Sequence, residues 1–322
     1  MKKTRIVTCV LLLLLVVMLS INVSSFPAVA QGAYHVGVTW GSRYNQNQDE
    51  IWEMGYLCLD IRGIFEDNSA WVENNFFGPD THASYVYQVS DAVKSSGSYD
   101  YLATFHVGHM FPYMFEYGHW EWDPYYGYPY WVTDGYVRHY AYYADSGTYY
   151  GIKDYAMYSH GGAKNYFTMI WTCSNADLFW GTSNPPDYGY WDTTNGTGRV
   201  GMPYAWTKTL GLDKDGYFYP SGSDFCYIGF ENISKPLTEN FESSQSQNYA
   251  DFIRSFYYQA VLQNKKIYQA LDQAALAMDV SGVDSYSDTE LYNGYVEYAQ
   301  GINWDCRMRI LGDGTNYLGV VG

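Results

Sequence analysis

Apolar positions along the chain follow two rhythms. Short, nearly charge-free runs rich in β-branched and aromatic residues alternate with stretches in which apolar residues return every three or four positions. The runs cover residues 33–40, 71–77, 101–109, 166–173, 225–230 and 308–311. The helical stripes are Ile51, Met54, Cys58, Ile61 and Phe65, then Tyr85, Val86, Val89 and Val93, and later Ile253, Phe256 and Ala260, followed by Ile267, Leu271, Ala274 and Met278. A charge-free run closed by small polar residues reads as a strand buried on both faces, and strands alternating with helices imply a parallel sheet with right-handed crossovers. The pattern predicts a single three-layer α/β domain with a mostly parallel sheet of about six strands and helices on both faces. Asp49 is the expected cap of the first helix.

One stretch breaks both rhythms. Residues 111–158 are crowded with Tyr and Trp, as in Trp120-Glu121-Trp122 and Tyr125-Tyr126-Gly127-Tyr128-Pro129-Tyr130-Trp131. Their Gly and Pro content argues against helix, so they are expected to form an irregular, aromatic-rich insertion. Three roles fit it: covering the sheet edge, recognising a peptide or glycan through exposed rings, or holding a metal through His119, Glu121 and Asp123. The first is preferred, and no recognised metal-ligand spacing is present.

The N-terminus changes the picture of where the chain works. Lys2, Lys3 and Arg5 precede an apolar core, and Ala28-Val29-Ala30 supplies a small-x-small cleavage site. Residues 1–30 therefore read as a signal peptide, and residues 31–322 as an exported, secreted or cell-surface domain with no membrane span after cleavage. Loss of the three basic residues takes the formal charge from −16 to −19. Such acidity argues against nucleic acid or anionic lipid as partners. Asn195-Gly196-Thr197 and Asn232-Ile233-Ser234 match glycosylation acceptors, in keeping with export.

The candidate chemistry lies where two runs end. One closes on His109 and the other on Cys173, followed by Ser174-Asn175. The carboxyl ends of parallel strands are where an α/β sheet opens into its ligand crevice. Two neighbouring strands would bring a thiol and an imidazole to one edge, the minimum for thiol nucleophilic catalysis. The alternative for Cys173 is an ordinary core cysteine. His106 reads as a packed core residue, because residues three apart on a strand point to opposite faces. His160 is a second rival, although only thirteen residues separate it from Cys173.

These strand ends resemble those of the caspase-like cysteine peptidases, the group of gingipains, clostripain, separase and metacaspases. Residues 101–109 are similar to the family's apolar strand ending in Gly-His-Gly, and 169–173 with Ser174-Asn175 to the strand that ends in the nucleophile. Tyr227-Ile228-Gly229-Phe230 resembles the strand lining the specificity pocket. Ile310-Leu311-Gly312-Asp313 resembles a motif of the gingipain branch. The resemblance implies a cysteine endopeptidase with a Cys173–His109 dyad that cleaves a protein or peptide substrate through a thioester. It implies an oxyanion hole from the backbone amides of Cys173 and Met110.

One departure is Met110, which stands where the family has glycine. A catalytically inactive surface protein that binds through its aromatic loops is the alternative reading. Trp206 and Phe230 are candidate substrate contacts, and Asp177 and Glu231, with Asp224, lie near sheet ends where a carboxylate would favour a basic substrate side chain. Ordinary solvated carboxylates are the plainer reading of these acids. No cofactor or metal is implied, and no calcium requirement follows from the sequence. With Cys173 reserved as nucleophile, adjacent parallel final strands would leave Cys226–Cys306 as the one plausible disulfide, and Cys58 buried and reduced.

Overall fold

The computed structural model describes residues 34–40, 47–68, 72–78, 91, 101–108, 110–125, 127–143, 151–153, 157, 160, 165–173, 175–176, 202–207, 211–212, 218–219, 225–230, 233–242, 244, 246–294, 296–299 and 302–319. The expected signal segment, the expected helix around residues 81–93 apart from Asp91, and the asparagines of both expected glycosylation triplets lie outside them.

Thirteen strands are present among the described residues: β1 (Tyr34–Trp40), β2 (Val72–Gly78), β3 (Tyr101–Val107), β4 (Met110–Asp123), β5 (Tyr128–Tyr143), β6 (Gly151–Lys153), β7 (Asn165–Trp171), β8 (Gly211–Leu212), β9 (Phe218–Tyr219), β10 (Cys226–Phe230), β11 (Val296–Ala299), β12 (Ile302–Asp305) and β13 (Met308–Gly312). Six of them form the main sheet in the order β13-β10-β7-β3-β1-β2. All neighbours are parallel except β10 and β13, so the chain has the mostly parallel α/β sheet expected of its alternating pattern.

The helices are α1 (Gln48–Asp67), α2 (Met202–Thr207), α3 (Tyr249–Tyr257), α4 (Ile267–Ala277) and α5 (Glu290–Asn293). Helix α1 starts at Asn47, not Asp49: the Asn47 carboxamide oxygen accepts from the Asp49 amide at 3.0 Å. Asp49 and Glu50 occupy the first turn, where negative charge meets the positive end of the helix dipole. A reciprocal capping box between Asn248 and Asp251 opens α3, which runs on into a π-turn at Tyr258–Leu262.

Alternation along the strands sends Ala103, Phe105, Val107, Phe167, Met169 and Trp171 to one face, where they meet Met54, Ile61, Ile253, Phe256, Ala260 and Leu271 of α1, α3, its π-turn and α4. Tyr257 is the wedge between these layers. Its ring centroid lies 5.8 Å from Phe65, 5.6 Å from Phe105 and 6.2 Å from Phe167, each edge to face. Aromatic pairs in this geometry each add about 0.5–1.5 kcal/mol to their area burial. The other face is buried as well, through Leu102, Thr104, His106, Thr168 and Ile170. Helix α2 packs beside β7.

Two expectations are corrected. Most of the described residues within 111–158 are not irregular: β4 and β5 pair in register for most of their length, and β6 adds a third strand. Aromatic residues favour strand; Gly118 and Gly135 fall at a bulge, Gly127 takes φ +69° at the tip, and Pro112 and Pro129 sit in the ladder opposite Tyr140 and Trp122. The second correction concerns the Cys226–Cys306 bridge. Because β13 runs antiparallel to β10, Cys226 pairs with Gly312 while Phe230 pairs with Met308. Cys306 is thereby carried to the opposite end of the strand, and none of the four described cysteines is in a disulfide. Cys58 is fully buried near the Thr39 carbonyl, and burial pushes its pKa well up, as it does that of Cys226.

Candidate functional site

Strand β7 stops at Trp171, and Cys173 stands two residues beyond, in the turn and not on the last strand position. Trp171 is anchored through its indole N–H, which donates to the Lys235 carbonyl at 2.7 Å, and by an edge-to-face contact with Phe230 at 4.7 Å. Asn175 shapes the turn. Its amide group donates to the Ile170 carbonyl at 3.1 Å, to the Thr172 hydroxyl at 3.1 Å and to the Thr172 carbonyl, while its oxygen accepts from the Tyr227 hydroxyl at 2.8 Å. Gly229 leaves room for this: a Cβ there would overlap the Asn175 oxygen. The Ala176 amide then bonds the Phe230 carbonyl at 2.8 Å, stapling the turn to the end of β10.

The result is a partly buried thiol in a cleft of about 230 Å³. Gly108, Val107, Glu50 and Met54 line one part of it, and Ser234, Lys235 and Pro236 another. The Ser234 amide donates to Cys173 Sγ at 3.5 Å, and its hydroxyl lies 3.6 Å from the same sulfur. The amide N–H points at the sulfur, and in the second contact either the hydroxyl or the thiol can donate. The wall carrying Ser234 is held from a distance: the buried Glu50 carboxylate accepts from the amides of Leu237 at 2.7 Å and Thr238 at 3.0 Å, and from the Thr238 hydroxyl at 2.8 Å. The Lys235 ammonium, almost fully buried, sits 2.8 Å from Glu239 and 3.9 Å from Glu290. Burial pulls its pKa down, but the hydrogen bond and charge of Glu239, helped by Glu290, outweigh burial and raise it.

Of the histidines, His106 is fully buried, with Nδ1 2.8 Å from the Thr39 hydroxyl. Burial lowers its pKa to about 3, so it is a neutral core residue. His160 is paired to Asp91 at 2.7 Å. His109 lies outside the described residues, but its neighbour Gly108 lines the Cys173 cleft and donates its amide to the Trp171 carbonyl at 3.3 Å. Met110 opens β4, opposite Tyr142. Trp206 and Phe230, expected to touch substrate, are fully buried, so the structure corrects that expectation: Phe230 supports Trp171, and the Trp206 carbonyl accepts from the Asn165 side chain. Asp177, Asp224 and Glu231 lie outside the described residues.

Asp123, proposed with His119 and Glu121 as a metal ligand, accepts from the Tyr125 amide at 2.8 Å and so helps form the hairpin tip. Among the described residues no group of three or more metal-ligating side chains converges, and no helix is long and apolar enough to cross a membrane. The sequence pattern did not point to Glu50, Ser234 or Lys235 as parts of the site. Ser234 sat inside a glycosylation triplet and Glu50 in an ordinary acidic first turn, with no local signal that they meet across 184 residues of chain. A comparison of the sequence with protein-family models and with curated proteins gives no match.

Proposed function

We propose that the chain is an exported cysteine endopeptidase of the caspase-like kind, with Cys173 as nucleophile and His109 as its partner. One observation carries this reading: a thiol that is only partly buried lies in a cleft at the carboxyl edge of a parallel sheet, and the residue preceding His109 lines the same cleft. The thiolate attacks the scissile carbonyl carbon, and the oxyanion takes the amides of Cys173 and Met110. Collapse forms a thioester and breaks the C–N bond, with the imidazolium of His109 giving its proton to the leaving amine. Water, deprotonated by the now neutral imidazole, then hydrolyses the thioester and returns the thiol. The Ser234 amide aims its N–H at the attacking sulfur and helps to orient it.

A second reading is favoured by a different observation. At the hairpin tip Trp122 is 64% and Tyr125 86% exposed, which suits a non-catalytic protein that grips a peptide or glycan. One set of measurements separates the two. Brief treatment of the native protein with an iodoacetamide probe should label Cys173 and spare the buried Cys58, Cys226 and Cys306. Cys173→Ala should abolish hydrolysis of a peptide mixture, because the dyad acts as a unit. Hydrolysis that persists in Cys173→Ala sinks the mechanism. A protein that cleaves nothing, yet binds a glycan or peptide array and loses that binding in Trp122→Ala, establishes the second reading.

A further inference from the structure

The segment that carries Ser234 is a strap with no regular structure of its own from residue 233 to 236, followed by a turn at Leu237 and Thr238. Its place against Cys173 is therefore set by contacts from elsewhere, and one of these is a charge. Glu50, in the first turn of α1, is 5% exposed and lines the same cleft as the thiol. We infer that Glu50 is a positioning residue for Cys173: through the strap it holds the Ser234 amide on the sulfur and so sets the reactivity of the thiol. The inference rests on the reading of Cys173 as a nucleophile.

The hold begins with three donors on one carboxylate. Successive backbone amides turned to one side form a concave site that favours an anion. Here the anion is a side chain of the same protein. One Glu50 oxygen accepts from the Leu237 amide at 2.7 Å, and the other accepts from the Thr238 amide at 3.0 Å and the Thr238 hydroxyl at 2.8 Å. Hydrogen bonds to an ionised acceptor are about twice as strong as those between neutral groups. Leu237 is fully buried, so its amide, once deprived of Glu50, would carry the whole cost of desolvation.

The hold at Leu237 passes to Ser234 because the stretch between them is stiff. Pro236 fixes its own φ and restricts Lys235, the residue before it, to extended backbone. The Trp171 indole grips the Lys235 carbonyl at 2.7 Å from the side of the sheet. From the side of α3, the amides of Ala250 and Tyr249 donate to the carbonyls of Leu237 and Glu239, each at 3.2 Å. Those three contacts use carbonyls of the strap, whereas Glu50 takes its N–H groups at Leu237 and Thr238. A displacement there moves Ser234 with it, and with Ser234 the N–H that meets Cys173 Sγ at 3.5 Å. The acid three residues along α1, Glu53, is committed elsewhere: it pairs with Arg254 at 2.5 Å. That makes it a matched control.

The test compares Glu50→Gln with Glu53→Gln in the full chain. Gln at position 50 keeps the shape of the side chain but turns one oxygen into an NH2 group, which meets the Thr238 N–H donor to donor. Each protein is labelled with iodoacetamide and, separately, with the bulkier fluorescein maleimide, and the modified thiols are mapped by mass spectrometry. In Glu50→Gln the ratio of maleimide to iodoacetamide rates at Cys173 should rise about fivefold to a hundredfold, the factor that one stranded buried donor is worth as an opening equilibrium. Cys58, Cys226 and Cys306 should stay protected, which a general loss of structure would not allow. Glu53→Gln should label as the wild type does. Thr238→Val, which removes the hydroxyl donor alone, should show the same change at smaller size, and Thr238→Ser should restore the wild-type ratio. Peptide hydrolysis is read in parallel: kcat should fall about tenfold or more in Glu50→Gln with KM changing less, because the sulfur is misplaced while the rest of the cleft stands. An unchanged ratio in Glu50→Gln, or labelling of the buried thiols together with Cys173, overturns the inference. Hydrolysis at the wild-type rate in Glu50→Gln also overturns it, and leaves the peptidase. A wild-type chain that cleaves nothing, with the labelling response intact, removes the peptidase and leaves Glu50 as the residue that positions the thiol.

Discussion

The interior of the main sheet and its carboxyl edge are built from the same chemical vocabulary, used to opposite ends. Inside, His106, Thr104, Thr168 and the thiols of Cys58 and Cys226 are sealed from water, and burial holds each titratable group in its neutral form. At the edge, Cys173 is only partly buried, and its turn is fixed by Asn175, Trp171 and the Ser234 amide. A reactive residue type is therefore not enough to identify a site. What separates inert from available is a shift of a few residues along a strand, from a position flanked by other strands to one just past their ends.

The sharpest way to break that contrast is from the inside. Phe167→Ala removes a ring packed on Tyr257 and stacked on Phe256 at 6.1 Å, and should cost about 3–5 kcal/mol of unfolding free energy in urea. The effect should be on stability, with Cys173 alkylation unchanged wherever the variant is folded. A loss well under this range would mean that the sheet and the α3 layer are not packed as described.

The next effect is one of pH. The folded pKa of His106 is about 3 against an ordinary 6.5, so the unfolded chain binds a proton that the folded chain refuses. Its share of stability is fully present above about pH 6.5 and is lost as pH falls toward 3, by about 1.4 kcal/mol per unit. Relative to His106→Gln, the wild type should lose about 2 kcal/mol between pH 7.5 and 5. Glu242, behind the site wall, works the other way. Burial, with the charge of Glu290, raises it to about 7, so its share is present below about pH 4.5 and is lost as pH rises through 7. A difference curve for His106→Gln without slope would mean that this histidine is not sealed.

The smallest expected effect lies at the edge. Asn175→Ala leaves the buried Tyr227 hydroxyl without the Asn175 side-chain oxygen and should cost about 1–3 kcal/mol. Its more telling consequence is a changed rate of Cys173 alkylation, which a purely interior substitution should not produce. An unchanged rate would show that the turn holds its shape without Asn175.

Much of the fold was legible because burial on both faces writes itself into sequence as charge-free runs: β1, β3, β7, β10 and the stripe of α1 stand where the pattern put them. The end of the cysteine strand was legible only to within two residues: Ser174-Asn175 announced a turn, but the strand already stops at Trp171 and leaves Cys173 beyond it. Strand direction was not, because local pattern is the same for a parallel and an antiparallel neighbour, and that is how β13 misled the expected disulfide. The aromatic hairpin was missed because Pro112, Gly118, Pro129 and Gly135 interrupt the alternation that a bulge and a long ladder then accommodate. The cleft wall at Ser234 and Lys235 was illegible for a different reason: its anchor, Glu50, lies 187 residues from the Leu237 amide it accepts from.

That anchor also sets a timetable. The ladder β1-β3-β7 is complete once residue 171 has been made, so the strand that leads to Cys173 can be laid down early. The wall facing the thiol waits for residues 234–239, and the carboxylate that fixes it closes one of the longest loops in the chain. Contacts of such separation form late, because loop closure must be paid before they return anything. A nascent chain therefore carries its sheet before it carries its cleft, and the Cys173 thiol gains its amide donor only when about three quarters of the polypeptide has emerged.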